Sequence, residues 1–316
     1  MASVLVTGAG GFVGRAAVRH FRSVGWRVTA TSSRPAEVPG STAAPALEDR
    51  AAWAALLRGH DAVVHLAARA HVPEAVAIRD RESFEHVNVV GTRVLADAAA
   101  DAGVGRFVFA SSIGVNGSRT LGRPFAATDE PRPAGTYAEA KRRAELALAE
   151  VAAARGLVHS IVRPVLVVGP GAPGNLARLA ALVERGVPLP FGALRNRRSF
   201  VAVDALASLL CAACTAAGAA GAILLAAQSP ALSTGDVVRL IGAGMGRRAR
   251  LLPVPPVLLR AAGTLVGRGD DVARLLDSLE VDASDTVART GWQAGQGVED
   301  ALRALGRHRR EQASAR

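Results

Sequence analysis

The feature that most narrows the fold of this 316-residue chain is a set of glycines at fixed intervals near its start. Ser3-Val4-Leu5-Val6-Thr7 reads as a buried strand. Gly8, Gly11 and Gly14 follow it, and a helical pattern then runs over 13–24. Gly8 permits a tight turn, Gly11 lets the backbone approach a pyrophosphate, and Gly14 lets the helix pack closely on the strand. The helix N-terminus, with Phe12 and Val13 in its first turn, then offers free N–H groups and a positive dipole end to phosphate oxygens. A glycine pattern alone is a weak signal; one set between a strand and a helix predicts a dinucleotide cradle.

The rest of the chain agrees with that start. Short apolar runs over 3–7, 27–31, 62–66, 106–110 and 158–162 read as strands, and longer patterns over 13–24, 50–58, 83–102 and 137–154 read as helices. Such alternation predicts an α/β fold, a doubly wound parallel sheet covered by helices on both faces. Asp49 stands as the N-cap of the helix beginning at Arg50. Prolines punctuate the chain after Gly169, which places a dinucleotide-binding domain over 1–168 and a smaller substrate-binding lobe over 169–306. The arginine-rich end, 307–316, reads as a flexible tail.

Between Asp204 and Asp236 there is no charged residue, but alanine and glycine dominate the stretch. It predicts a buried helix over 203–215 and a strand near 222–227 that returns to the sheet, rather than a membrane span. The first residues have no basic n-region, and the chain has two cysteines. Both features fit a cytoplasmic protein without disulfides. Cys211 and Cys214 lack a second pair or a histidine cluster, so packing is expected of them, not metal binding. The formal charge is +11 and only one of the 38 basic side chains is lysine. The arginines are scattered and aromatic residues are few, which predicts an anionic small substrate and not a nucleic acid.

That one lysine, Lys141, stands four residues after the one tyrosine, Tyr137, near the start of a helix. This spacing puts phenol and ammonium on one helical face. A free phenol, with a pKa near 10, is a poor base at neutral pH, and a cation beside it favours the phenolate. Thr136 and Glu139 have the spacing of a capping box. The strand over 106–110 ends in Ser111-Ser112, which offers a hydroxyl partner.

Together, the glycines at 8, 11 and 14, the Tyr137/Lys141 pair and the Ser111-Ser112 strand end resemble the extended short-chain dehydrogenase/reductases. The likeness is greatest to the NAD-dependent epimerase/dehydratase family acting on nucleotide sugars, and it covers nearly the whole chain. It implies a Rossmann-type sheet, chemistry at C4 of a nucleoside-diphosphate sugar (UDP above all), and a homodimer formed through the helices over 83–102 and 137–154. Under this resemblance Ser112 holds the reacting oxygen, Asn88 helps order the site, and Leu66, Ala67, Ala68 and Pro164 line the cofactor. Asn175 and Arg198 match segments that hold the nucleotide end of the substrate. Arg274 is a further candidate there, and His71 one for the sugar pocket. His65 is expected to be buried and structural.

Several departures refine the picture. An acidic residue normally ends the second strand and takes the ribose 2′-hydroxyl. Here the stretch is Ser32-Ser33-Arg34, so Ser33 and Arg34 favour NADP(H), with NAD(H) possible. Ala46-Leu47 stands where an adenine-contacting Asp is usual, leaving that contact to the backbone and Leu47. Asn116 and Val168 replace common tyrosines. Dehydratases of the family carry Thr-Asp-Glu at the Ser112-Ile113-Gly114 position, and Ile and Gly supply neither acid nor base, which argues against a 4,6-dehydratase. A 4-ketosugar reductase is slightly preferred over a 4-epimerase. A non-sugar ketone reductase, which would not need Arg198, and a non-catalytic cofactor sensor on the same fold stay open beside them.

Overall fold

The computed structural model describes residues 1–314 apart from 71, 73, 266 and 268. Its strands are β1 (Ser3–Thr7), β2 (Arg27–Ser32), β3 (Thr42–Ala43), β4 (Ala62–His65), β5 (Arg106–Ala110), β6 (His159–Pro164), β7 (Leu166–Val168), β8 (Arg198–Ala202), β9 (Ile223–Ala226) and β10 (Gln228–Leu232). Seven of them form one parallel sheet in the order β3-β2-β1-β4-β5-β6-β9. This is a Rossmann-type sheet. The chain runs outward from β1 to β3 and then returns to β4 on the other side of β1. The resulting crevice at the carboxyl ends of β1 and β4 is where such sheets bind ligands.

The principal helices, in chain order, are α1 (Phe12–Ser23), α2 (Arg50–Leu57), α3 (Glu74–Arg79), α4 (Arg81–Glu85), α5 (Gly91–Asp101), α6 (Thr136–Arg155), α7 (Asn175–Glu184), α8 (Val203–Thr215) and α9 (Thr234–Gly244). The period of two along the strands decides which helices cover which face. Leu5, Val63, Phe107, Phe109 and Ile161 meet Trp53, Leu95 and Leu148 from α2, α5 and α6. Val4, Val6, Val64, Val108, Val162 and Leu224 point the other way, into a cluster with Phe21 of α1 and Leu206 and Leu209 of α8. Burying each large apolar side chain is worth about 1.5–3 kcal/mol. The uncharged segment is therefore core: α8 lies beside α1, and β9 pairs with β6. No helix among the described residues is long and apolar enough to cross a membrane.

A second sheet, in the order β10-β8-β7, builds the smaller lobe. The chain leaves the large sheet at Val165, between β6 and β7, just ahead of the expected boundary at 168. The stretch 307–314 is no loose tail. It continues a helix over Val298–Ser314 that packs on α9, and Arg309 pairs with Glu184 at 2.8 Å. Two glycines explain the close fit: a Cβ at Gly306 would lie 2.2 Å from the Ile241 carbonyl oxygen, and one at Gly244 2.0 Å from that of Arg303.

Two helices differ from expectation. Thr136 is the first residue of α6 and not its cap; Gly135 occupies the cap position. Instead of a capping box with Glu139, the Thr136 N–H and hydroxyl both donate to Glu74 Oε1 at 2.8 Å. A carboxylate from a distant helix thus satisfies the first turn, a pairing that local spacing does not encode. The helix expected over 83–102 is interrupted by a π turn at His86–Val90, whose wider winding carries Asn88 inward. Asp49 caps α2 as expected, accepting from the Ala52 N–H at 2.9 Å.

Candidate active site

The glycine cradle is closed by backbone contacts that leave no room for side chains. Gly8 has φ +66°, and a Cβ there would lie 2.7 Å from the Ala67 nitrogen. A Cβ at Gly14 would lie 2.2 Å from the Gly8 carbonyl oxygen. Gly10, which stands outside the 8–11–14 spacing, is also size-limited, since a Cβ would meet Val38 Cγ2 at 2.7 Å. The N-cap of α1 is Gly11, and no side chain caps the helix. Its first-turn N–H groups therefore stay available to an anion. Phe12 lies near Gly169 across the crevice. The cradle fits a dinucleotide pyrophosphate on steric grounds and in its donors.

Beneath the cradle, His65 performs the structural role expected of it. Its Nδ1 meets Thr7 Oγ1 at 2.7 Å and its Nε2 meets Thr92 Oγ1 at 3.1 Å. Thr7 Oγ1 in turn accepts the N–H groups of Leu66 and Ala67, both at 3.2 Å, pinning the chain that presses on Gly8. Burial drives the imidazole pKa down to about 3, so the ring is neutral. Asn88 clamps the same loop further along. Its Oδ1 accepts from the Arg69 N–H at 2.8 Å and its Nδ2 donates to the Arg69 carbonyl at 3.1 Å. Asn88 is thus placed to position the loop after β4.

Ser33 and Arg34 are exposed just past the end of β2. Arg34 already has a partner, Glu37, at 3.2 Å. Leu47 turns its side chain towards α5, where any Cβ on Gly91 would meet it at 2.8 Å. Trp53 Nε1 donates to the Ala46 carbonyl at 3.2 Å and orders that stretch. Pro164 ends β6, beside Ala226 of β9.

Tyr137, Lys141 and Ser112 come together around the carboxyl end of β5. Lys141 is 2 % exposed; its Nζ donates to the Ala110 carbonyl at 2.7 Å and lies 4.4 Å from the centre of the Phe109 ring. It sits 6.0 Å from the centre of the Tyr137 ring. Ser112 Oγ accepts from the Gly114 N–H at 3.1 Å, and Gly114 is wedged between that oxygen and Ala138 of α6. Its neighbour Ser111 is engaged elsewhere, donating to Glu145 Oε1 at 2.5 Å. Ser112 is the less buried of the two serines and has no tie to Glu145.

Electrostatically the bare site differs from the expectation. Burial pushes the Tyr137 phenol up to about 12. It pulls the Lys141 ammonium down to about 7, with Glu145 opposing the fall. Desolvation favours the neutral form of both groups. Tyr137 therefore begins as a proton donor, and further positive charge beside it is needed to make it an acceptor.

A buried network that the sequence reading did not single out lies behind these groups. Arg163 and Glu145, 0 % and 1 % exposed, pair through Nε–Oε1 at 2.8 Å and NH2–Oε2 at 2.7 Å. Arg163 NH1 donates to Asn116 Oδ1 at 2.9 Å, which gives the Asn at the usual tyrosine position a partner. The available signal was a charge four residues beyond Lys141 on the same helical face.

The substrate candidates fare unequally. Arg198 is half-buried, and its NH1 donates to the carbonyls of Arg274 and Asp277 at 2.8 and 2.9 Å. One guanidinium nitrogen of Arg198 thus anchors the end of the helix Gly269–Leu276. Burial lowers the guanidinium pKa, partly offset by Asp277. Arg274 is exposed beside it, and Asn175 is exposed at the start of α7. His71 lies outside the described residues. Cys214 is buried, its thiol donating to the Leu210 carbonyl at 3.3 Å.

The model of the NAD dependent epimerase/dehydratase family matches residues 4–226. A Vibrio cholerae UDP-glucose 4-epimerase is 34% identical over 312 residues, covering 95% of this chain and 93% of that protein. Among solved structures, the UDP-glucose 4-epimerase of Thermotoga maritima with UDP-glucose superposes with a TM-score of 0.79 at 22% identity, covering 98% and 99% of the two chains. The Thermus thermophilus UDP-glucose 4-epimerase in complex with NAD gives 0.77 at 24% identity, covering 97% and 99%.

Proposed function

Because the chain belongs to the NAD dependent epimerase/dehydratase family, we propose that it inverts C4 of a nucleoside-diphosphate sugar, a UDP-hexose above all, with NAD(H) as its cofactor. The observation that carries this reading is the meeting of the only tyrosine, the only lysine and Ser112 beside a pyrophosphate cradle. The chain-length likeness to the V. cholerae enzyme supports the choice of reaction over the slight preference for a reductase that the β2 end suggested.

Gly8, Gly11 and Gly14 hold the pyrophosphate, with the free first-turn N–H groups of α1 as donors. These residues would hold a nicotinamide dinucleotide, which when bound would supply hydride acceptance and return at C4. Ser112 Oγ orients the C4 oxygen. Tyr137 Oη takes the proton of the C4 hydroxyl and returns it once the hydride has come back to the opposite face. Lys141, as ammonium, holds the nicotinamide ribose and stabilises the phenolate. Its positive charge, and that of the oxidised ring, supply what a phenol held at about 12 needs to accept a proton. Asn175, Arg198 and Arg274 engage the nucleotide end. Assembly as a homodimer through α5 and α6 belongs to the same reading.

A second reading, a 4-ketosugar reductase using NADP(H), is favoured by one observation: Ser33 and Arg34 follow β2 where a carboxylate would otherwise hold the ribose. One experiment separates the two. The purified protein is denatured, its released nucleotide is identified by mass spectrometry, and the native protein is incubated with UDP-glucose. Bound NAD⁺ with formation of UDP-galactose supports the epimerase. An empty protein that oxidises NADPH only when given a 4-keto UDP-sugar overturns it in favour of the reductase.

A further inference from the structure

The face of α6 that carries Tyr137 and Lys141 carries a third group one turn on. Glu145 is fully buried, and each of its oxygens is engaged: Oε1 by Ser111 Oγ and Arg163 Nε, Oε2 by Arg163 NH2 and by Arg142 NH1 at 3.2 Å. Arg163 passes the link to Asn116, whose Nδ2 donates to the Ala126 carbonyl at 3.2 Å. The ties therefore join α6, the end of β5, the turn after it and β6. Ser111 is the chain neighbour of Ser112, and Ala110, which holds the Lys141 ammonium, is the neighbour of Ser111.

We infer that Glu145 and Arg163 are positioning residues of the active site, a buried charge pair that fixes the Ser112 strand end against the Tyr137/Lys141 face of α6. The inference rests on the reading of those three residues as the catalytic set. A purely structural pair has a simpler solution, because apolar residues of similar volume often serve stability as well or better. What the charges add is direction. A bidentate guanidinium–carboxylate pair fixes both partners' orientation, and here each partner leads in one step to a residue next to the reacting groups. Misplacement of a catalytic group by about 1 Å is enough to cost two orders of magnitude in rate. The pair has an electrostatic role as well. Among the described residues, the ionisable groups on the elements around Lys141 include Tyr137, Glu145 and Arg142 on its own helix, His65 from β4 and Arg163 from β6. His65 is neutral, and Glu145 is the one carboxylate among them.

The test uses the chain's composition. Lys141 is the only lysine, so its acylation by acetic anhydride is followed by mass spectrometry of one peptide, with the N-terminal amine as internal reference. Glu145→Gln removes the charge that favours the ammonium and raises acylation at pH 6 at least about threefold, half a unit in titration midpoint. Ser111→Ala removes a single tie and leaves the ion pair in place. It lowers kcat on UDP-glucose about tenfold, with KM within about threefold. If Glu145→Gln leaves Arg163 an orphan charge and does not fold, Glu145→Gln/Arg163→Met, which removes both charges, takes its place with the same expectation. A folded variant with acylation and kcat both within about twofold of the unaltered protein overturns the proposal. Because acylation needs no turnover, an unaltered protein silent on every nucleotide sugar sinks the functional reading alone. The Lys141 midpoint then judges the tie to Glu145 by itself.

Discussion

The two ends of the site are built differently. At the cofactor end, between β1 and β6, position is set by close backbone contacts, Gly14 against the Gly8 carbonyl and Gly8 against Ala67, and by the Asn88 side-chain amide bonded across the main chain of Arg69. Behind them Arg163 is paired with Glu145, and His65 is neutral. At the proposed substrate end, Asn175 and Arg274 are exposed on helices, and Arg198 anchors the end of a helix through one guanidinium nitrogen. The difference fits two demands. Hydride transfer needs one fixed geometry. In the proposed function, recognition of a sugar nucleotide falls to side chains on the smaller lobe, where substitution would alter selectivity without disturbing the sheet.

Substitutions break or sharpen this contrast, the largest effects falling at the cofactor end. Gly14→Ala places a methyl on the Gly8 carbonyl with no side chain free to yield. It abolishes measurable NAD binding by calorimetry and costs about 1–3 kcal/mol in denaturant unfolding. An undiminished NAD affinity would show that the cradle is not the binding site.

Acid stability comes next. His65 titrates near 6.5 in an unfolded chain and at about 3 in the fold. Between those values the unfolded state binds a proton that the native state refuses, so stability is lost as the pH falls from about 6.5 towards 3. The loss is on the order of a few kcal/mol. His65→Asn flattens that slope in chemical denaturation series at several pH values; an unchanged slope counts against the buried neutral ring.

Substrate-end changes are smaller and of another kind. Arg198→Ala raises KM for UDP-glucose roughly ten- to a hundredfold and leaves kcat within about threefold, the signature of lost uniform binding. A fall in kcat of equal size would move Arg198 to the side of the chemistry. Smallest of all is Arg34→Ala. With NAD as cofactor and Arg34 in an exposed pair with Glu37, NAD affinity changes by less than about twofold. A tenfold loss of NADPH affinity in the same variant would revive the reductase.

How much of this the sequence discloses follows the same division. The glycine cradle was legible because steric demands on a strand–turn–helix are local, and so was the cap at Asp49. Tyr137 and Lys141 stood out through their spacing and their being the only residues of their types. The Glu74 cap on α6 and the Arg163–Glu145 pair were not legible, because each joins segments that only the folded sheet brings together. Nor was the helical end at 307–314, whose polar face suggested a solvated tail until Gly244 and Gly306 let two helices close on each other. Arg198 was found by its resemblance to a substrate-binding segment, yet its tie to the carbonyls of Arg274 and Asp277 is a tertiary fact.

The central claim is that Tyr137 carries the proton of the C4 hydroxyl. The most direct test compares unaltered protein and Tyr137→Phe, both with measured NAD affinity, for conversion of UDP-glucose to UDP-galactose. The expected result is a kcat lower by about two to four orders of magnitude with NAD binding within about twofold. Turnover in the variant within tenfold of the unaltered protein, at equal NAD occupancy, would contradict it.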